Sequence, residues 1–464
     1  MDSGRLVVVS NRLPVVIKRA DSSQWQVKPG SGGLVTAMGP VLKHRGGLWI
    51  GWLGIPQEDC PAEKRLSGLL SAGTNRTGYS LRYVHLCREE IEKYYHGFSN
   101  EILWPLFHDL FSHCNFDPMY WETYQRVNRK FAEHVMEHTR KGDYLWVHDY
   151  QLILVARELR RLGLDRQIGF FLHIPFPPLD IFLKLPWRFQ ILEALLQYDL
   201  IGFQTARDRR NFIGCVRALL GCRVSGRGQV NTIQIDDRQV LAGSFPISID
   251  YREFADFAKT QEVADQAWII HANLPRRQII LGVDRLDYTK GIRHRLKAFE
   301  ELLADGRLTV EDVTLVQVAS PSRERVETYM QLRDEIELAV GRIDGDFDTM
   351  GHSAVRYLHQ AFPREEMVAL FTLDRCKSSA ARFDLKKLVW MNGEYIRRLP
   401  RERFTEEFVR RVEAAGLATD GADLPGIIGQ MQVRTKFFRE IPDSCAYFFT
   451  EAYAFDPQGV EKRL

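Results

Sequence analysis

Short apolar runs alternate with helical patterns through the first 320 residues of the chain. The runs are apolar on both faces, which is typical of parallel strands covered by helices on each side. Helical patterns such as Trp187–Gln197 and Ile292–Leu303 separate them. This alternation predicts open α/β sheets, in which ligands bind beyond the carboxyl ends of the strands. The predicted strands are Leu6–Ser10, Tyr144–His148, Ile168–Ile174, Leu200–Gln204, Gln278–Val283 and Val313–Ala319.

The pattern changes near residue 372, where helical spacing replaces the strand and helix alternation. Phe404, Phe408 and Val412 recur at helical spacing, and Gly416 is placed to end that helix. A second amphipathic stretch covers Gly426–Arg439. We therefore predict an N-terminal Rossmann-like domain over 1–245, a partial second Rossmann-like domain over 246–371, and an all-α tail over 372–464.

The overall charge is nearly balanced, with 63 basic and 60 acidic residues among 464. This balance excludes a general electrostatic surface for nucleic acids or anionic membranes. The seven cysteines form no CxxC pair and no zinc-like spacing, which favours reduced thiols and a cytoplasmic location. No apolar stretch approaches the roughly 18 residues that a membrane span requires. We expect no membrane partner.

Two motifs near the N-terminus suit anionic and sugar ligands. Arg12 closes the first strand, and the loop Gly30-Ser31-Gly32-Gly33-Leu34 lets backbone N–H groups approach a phosphate. Such a loop is also a common simple turn. The aromatic string Tyr94–Asn100, followed by Trp104, suits the faces of a sugar. A buried aromatic cluster is the alternative interpretation.

Further polar residues follow predicted strands, the usual position of site residues in α/β folds. His148-Asp149 and His173 end two strands of the first domain, although a strand-end histidine is often structural. Arg285 and Lys290 leave a strand of the second domain together and could neutralise a diphosphate leaving group. Salt bridges to the neighbouring aspartates are the alternative. Arg323 ends another strand and adds a cation.

Nine strings occur in order along the chain: SNRLP, SGGL, GLWIGWLG, YYHGFSN-x3-WP, HDYQL, HIPFP, GFQT, DRLDYTKG and SPSR. Together they resemble the trehalose-6-phosphate synthase family of retaining GT-B glycosyltransferases over about residues 1–370. The resemblance implies a GT-B-like pair of Rossmann-like domains with the active site in the cleft between them. The second domain of this chain would be truncated and followed by the helical tail.

The family resemblance also implies a reaction and a set of residues. The reaction is α,α-trehalose-phosphate synthase (UDP-forming), which transfers glucose from UDP-glucose to glucose 6-phosphate with retention. UDP-glucose is a co-substrate, so no cofactor and no metal are expected. The acceptor residues implied are Arg12, Tyr95, Trp104, Asp149 and Arg323. The donor residues implied are Gly33, His173, Arg285 and Lys290, and the catalytic residues are Asp149, His173, Arg285 and Lys290.

The family pattern breaks after Phe371. An RDGMNLVAKE-like motif, which would supply an aspartate to the donor glucose and a glutamate to the ribose, is absent from the sequence. The segment 372–464 instead resembles the C-terminal helical region of a bacterial-type glutamyl-tRNA synthetase, through FDLKKL, WMNGEYI, YFF and FDP. We infer a junction of two parent sequences at 371/372, through recombination, deliberate fusion or an assembly error.

Several functions therefore stay open alongside the synthase reaction. Glucosylglycerol-phosphate synthase shares much of the pattern, and the lost donor motif favours an inactive sugar-phosphate-binding chimera. A tRNA-binding module is the third alternative, but 16 basic and 14 acidic residues in 372–464 do not favour it. The synthetase's ATP-site motifs are absent, which excludes aminoacylation. The truncated sheet would expose an unpaired edge, which favours a homo-oligomer.

Overall fold

The computed structural model describes residues 4–19, 25–30, 32–226, 228–273, 278–323, 326–362, 368, 392–393, 396–419 and 422–450. The chain divides into two compact units, Met1–Asp374 and Arg375–Leu464. In the described part of the chain, no helix is both long enough and apolar enough to cross a membrane.

A nine-stranded sheet forms the centre of the first unit, in the order β5-β4-β1-β6-β7-β8-β11-β10-β9. In this spatial order, the first seven strands, which end with β11, run parallel to one another. The last two, β10 and β9, each pair antiparallel with the strand before. A separate hairpin joins β2 to β3. The strands are β1 (Leu6–Arg12), β2 (Val15–Arg19), β3 (Trp25–Pro29), β4 (Leu48–Trp52), β5 (Ser80–Val84), β6 (Tyr144–His148), β7 (Ile168–Leu172), β8 (Leu200–Phe203), β9 (Arg223–Ser225), β10 (Val230–Ile235) and β11 (Arg238–Ser244).

Helices pack against this sheet because the parallel strands are apolar on both faces. Val7, Val8 and Val9 of β1 are fully buried, as the prediction of a doubly covered sheet requires. A π-helical segment, Ile91–Leu103, lies among these helices. The helices are α1 (Gly33–Arg45), α2 (Glu63–Thr77), α3 (Arg88–Glu90), α4 (Trp104–Phe107), α5 (Pro118–His138), α6 (Val155–Arg161), α7 (Leu179–Phe182), α8 (Arg188–Leu195), α9 (Ala206–Leu220), α10 (Tyr251–Phe257) and α11 (Gln261–Asn273).

A second, smaller sheet has three parallel strands in the order β12-β13-β14. Its elements are β12 (Gln278–Arg285), α12 (Ile292–Ala304), β13 (Val313–Ser320), α13 (Glu327–Phe347) and β14 (Val355–Leu358). The central strand β13 is buried almost throughout, as predicted. The edge strand β12 differs from the prediction, because Ile280 is 39% exposed. Edge strands lack a neighbour on one side, so their apolar faces are covered less completely.

The second unit is helical in its described part, with α14 (Arg401–Ala414), α15 (Leu424–Arg434) and α16 (Ile441–Cys445). Phe404, Phe408 and Val412 are fully buried along one face of α14, which confirms the predicted spacing. Gly416 follows that helix with φ 75°, the left-handed conformation that glycine adopts readily at a helix end. The second predicted stretch ends earlier than expected, because Thr435 turns to extended backbone.

Candidate active site

The carboxyl end of β1 positions Arg12 among aromatic rings. Its guanidinium carbon lies 4.9 Å from the ring centre of Trp52 and 5.4 Å from that of Tyr95. The preceding turn is fixed by Ser10, whose hydroxyl accepts from Trp49 Nε1 at 2.7 Å and donates to the Arg12 carbonyl at 2.7 Å. Cations over aromatic faces are stabilised electrostatically. Arg12 is thus held at the strand end predicted for it.

The aromatic string lies on the π-helical segment, a rare structure that is frequent at functional sites. Tyr94 and Phe98 are fully buried, and Tyr94 donates its hydroxyl proton to Asn11 Oδ1 at 3.0 Å. Tyr95 instead faces Arg12. The alternative of a buried aromatic cluster is therefore confirmed for Tyr94 and Phe98, whereas a sugar-binding role of Tyr95 stays a prediction. Trp104 follows at the start of α4.

Asp149 and His173 are joined at the ends of β6 and β7. Asp149 has φ 76°, which is strained for a residue with a side chain. Its carboxylate accepts from the backbone N–H of Tyr150 at 3.0 Å and from that of His173 at 3.2 Å. The two imidazoles of His148 and His173 hydrogen-bond at 3.1 Å, between Nδ1 and Nε2. Burial lowers the pKa of both histidines, so both rings are neutral near pH 7.

Arg323 is the centre of a buried polar cluster that joins the two sheets of the first unit. Its guanidinium bonds to Asp287 Oδ2 at 2.8 Å and to the Tyr150 hydroxyl at 3.1 Å, and it also contacts the Tyr329 hydroxyl. The guanidinium carbon stands 3.9 Å from the ring centre of Trp104. Tyr150 follows β6 of the large sheet and Arg323 follows β13 of the small sheet, so this cluster bridges the two sheets.

Asp287 is completely buried and accepts four hydrogen bonds. Besides Arg323, its donors are the Tyr329 hydroxyl at 2.9 Å and the backbone N–H and hydroxyl of Thr289 at 3.0 and 2.8 Å. Burial alone would raise the pKa of the carboxyl, but Arg323 and these donors outweigh it and hold the pKa below its ordinary value. Asp287 is therefore ionised at neutral pH.

Two further predicted cations lie beside this cluster. Arg285 ends β12 with its guanidinium carbon 5.8 Å from the ring centre of Trp104. Lys290 ends the turn that Asp287 caps, immediately before α12. Gly33 is the first residue of α1, with open space where a side chain would stand. Its placement beside the other predicted residues stays a prediction.

Two buried donors in this cluster have no hydrogen-bond partner among the described residues: Arg323 Nε and Trp104 Nε1. A buried donor without a partner is costly, so such groups in a cleft are typical of a ligand site. Both are donors, as recognition of a phosphate or a sugar hydroxyl requires. The arrangement can bind an anion and stabilise developing negative charge without a metal ion.

Sequence reasoning missed three members of the cluster. Tyr150 lies in HDYQL without a predicted role, and the sequence predicts Asp287 of DRLDYTKG only as a salt-bridge alternative. Tyr329 lies in the first turn of α13, where a tyrosine at helical spacing predicts only burial. The available sequence signal for Asp287 was its position between Arg285 and Lys290.

Comparison with known proteins identifies the family to which the chain belongs. The sequence model of glycosyltransferase family 20 matches residues 4–382, and the chain belongs to that family. It is 46% identical over 374 residues to a trehalose-6-phosphate synthase of Mycolicibacterium gilvum, covering 79% of this chain and 73% of that protein. A trehalose-6-phosphate synthase of Mycolicibacterium smegmatis is 44% identical over 371 residues, covering 79% and 72%.

Solved structures give the same result. An α,α-trehalose-phosphate synthase (UDP-forming) of Burkholderia xenovorans in complex with glucose-6-phosphate has a TM-score of 0.69 at 33% identity, covering 79% of this chain and 77% of that one. A structure from E. coli bound with UDP-2-fluoro glucose has a TM-score of 0.67 at 34% identity, covering 78% and 75%. These matches confirm the predicted GT-B-like α/β fold and the family resemblance.

Proposed function

We propose that this protein transfers glucose from UDP-glucose to glucose 6-phosphate with retention, forming UDP and trehalose 6-phosphate. The observation that carries the proposal is the buried guanidinium of Arg323, whose Nε faces no described partner beside the equally unpartnered Trp104 Nε1. An arginine with two nitrogens fixed by protein and a third donor left over is preorganised for a phosphate. The acceptor phosphate would accept from Arg323 Nε.

The remaining acceptor residues surround that position. Arg12 would add a second cation to the phosphate, while Tyr95 and Trp104 would pack on the sugar. Asp149, held by two backbone N–H groups, would accept from an acceptor hydroxyl. This set contains no carboxylate pair at a glycosidase-like spacing among the residues described, so the protein's contribution is positioning and charge stabilisation.

On the donor side, Arg285 and Lys290 would neutralise the diphosphate as it leaves, with backbone N–H groups at Gly33 as a further contact. The neutral imidazole of His173 would hydrogen-bond to the donor glucose. A leaving phosphate oxygen would then take the proton of the acceptor's anomeric hydroxyl on the same face of the sugar. No metal ion and no cofactor take part in this proposal.

The test is UDP release from UDP-glucose and glucose 6-phosphate. We expect turnover that falls at least about 100-fold in Lys290→Ala, because a cation on developing phosphate charge contributes several kcal/mol. Lys297→Ala is the matched control, since Lys297 is exposed on α12, the helix that follows Lys290, and lies outside the proposed site. Equal UDP release by the wild type and Lys290→Ala would refute the proposed reaction.

A second candidate is a sugar-phosphate binder without turnover, favoured by the absence of an RDGMNLVAKE-like motif from the sequence. Calorimetry with glucose 6-phosphate separates the two. Both candidates predict binding that Arg323→Ala weakens by about 1–3 kcal/mol, with exposed Arg342→Ala as control. Binding without UDP release supports this candidate, and no binding refutes both. Turnover with glycerol 3-phosphate instead of glucose 6-phosphate would identify a glucosylglycerol-phosphate synthase.

We also propose that the tail is a module derived from a glutamyl-tRNA-synthetase-like parent, located with the rest of the chain in the cytoplasm. Its Arg410 and Arg411 both pair with Glu407, which reduces the positive charge they offer to RNA. We therefore expect no tRNA binding above background in a gel shift at 50–200 mM salt, the range in which phosphate contacts titrate. Salt-dependent retardation of tRNA would contradict this expectation.

A further inference from the structure

The last turn of α5 carries three metal-ligating side chains on one face. His134, Glu137 and His138 are spaced i, i+3 and i+4, so the helical period brings them together. One ligand atom from each lies within 4.8 Å of the others, and His134 Nδ1 is 3.8 Å from a Glu137 carboxylate oxygen. The sequence predicts no metal site, since the implied family reaction needs none and the cysteines have no zinc-like spacing.

A second observation comes from the nitrogen that would bind the ion. His134 Nδ1 is buried and has no hydrogen-bond partner in the described part of the chain. The Nδ1 atom of neighbouring His85 is likewise buried without a hydrogen-bond partner among the described residues.

The surroundings favour a cation in spite of two nearby arginines. The site lies at the carboxyl end of a 21-residue helix, where the helix dipole gives a negative potential. Arg5 is already bound by Asp143 and by the His138 carbonyl, and Arg82 by the Leu81 carbonyl. The carboxylate of Glu137 is 66% exposed, so an ion has access.

We propose that His134, Glu137 and His138 bind a Zn²⁺ ion. Two imidazoles and a carboxylate suit Zn²⁺, whose bonds to these ligands are about 2.0–2.2 Å long. Tetrahedral ligand atoms at that distance from the ion are about 3.4 Å apart. Side-chain rotations that move the ligand atoms by about 1 Å would therefore complete the site. Water would supply the fourth ligand. The ion would fix the last turn of α5, outside the proposed glucosyltransferase cleft.

The experiment is calorimetric titration of the full-length, chelator-treated protein with Zn²⁺. We expect one site that weakens at least tenfold in His134→Ala and in Glu137→Gln, but not in His44→Ala, an exposed histidine on another helix. Cysteine thiols can add background binding, so the difference between variants is the quantity to compare. Because Glu137 is exposed, Glu137→Gln keeps the test valid if His134→Ala does not fold.

A second measurement is independent of any activity. A saturating Zn²⁺ concentration should raise the thermal midpoint of the wild type and of His44→Ala, since an ion that binds only the folded state stabilises it. The rise should be lost in the two site variants. Equal Zn²⁺ affinity and an equal thermal shift in the wild type and both site variants would overturn the proposal.

Discussion

Asp287 is the residue whose replacement tests the buried cluster most directly. Its carboxylate is fully buried, and its partner Arg323 has only 5% of its side chain exposed. The substitution Asp287→Asn keeps the shape and one acceptor oxygen but removes the charge. The new amide N–H₂ group faces the guanidinium donors of Arg323, so a favourable ion pair becomes a contact between donors.

The size of the effect follows from these contacts. Removing one partner of a buried ion pair costs about 3–5 kcal/mol, because the other charge is left uncompensated. Asparagine retains an acceptor for the Thr289 N–H, and so avoids the loss of about 1 kcal/mol that removing a cap entails. We therefore expect Asp287→Asn to lower the free energy of unfolding by about 3 kcal/mol, more than 100-fold in the unfolding constant.

The same substitution should affect catalysis at both substrates. Asp287 caps the turn that ends at Lys290 and also fixes Arg323, so one side chain positions the proposed donor cation and the proposed acceptor cation. We expect the KM for glucose 6-phosphate and the KM for UDP-glucose each to rise about tenfold, a loss of about 1.4 kcal/mol of binding. A rise confined to one substrate would show that Asp287 does not link the two subsites.

Urea denaturation of the full chain is the assay for stability. The matched control is Asp284→Asn on the preceding strand β12, whose partner Arg295 lies at 2.8 Å but remains a third exposed. Partly exposed pairs contribute about 0–1 kcal/mol, so the control should change little. Unfolding of Asp287→Asn at the wild-type urea concentration, with an unchanged slope, would refute the account of the cluster. This readout does not depend on the proposed reaction.

Three further predictions concern other parts of the molecule. Burial lowers the folded-state pKa of His148 and His173, so the unfolded chain binds more protons in acid. In urea denaturation, the free energy of unfolding should therefore decrease below about pH 6.5, by up to about 1.4 kcal/mol per pH unit for each histidine. The decrease should be shallower in the His173→Gln variant. Ile280→Lys on the exposed edge strand should reduce any dimer seen by light scattering, and an unchanged mass would argue against association through that edge. Phe408→Ala leaves a cavity in the core of the tail and should lower the free energy of unfolding of the second unit by about 4 kcal/mol in a denaturation experiment. Glu406→Ala, at an exposed position of the same helix, should leave that free energy unchanged.

The strands with long apolar runs were predictable, and the polar cluster was not. β6 begins and ends where its apolar run predicts, and β13 extends the prediction by one residue. β4 was missed, although it is buried throughout, because glycines flank its aromatic run and favour a turn by local rules. The pairing of Arg323 with Tyr150 spans 173 residues, and no local spacing carries such a contact.

The backbone at the two strand ends shows how the fold holds the candidate site. Asp149 and Arg323 both have positive φ, 76° and 50°, a conformation that costs of order 1–3 kcal/mol for residues other than glycine. Each is kept there by buried hydrogen bonds: Asp149 by two backbone N–H groups, and Arg323 by Asp287 and Tyr150. Positive φ thus occurs at one carboxylate residue after the large sheet's β6 and at one arginine after the small sheet's β13. A glycine at either position would relieve the backbone strain but would also remove the carboxylate or the guanidinium. The protein therefore retains the free-energy cost of the strain in order to keep these two groups for the proposed recognition of a sugar phosphate.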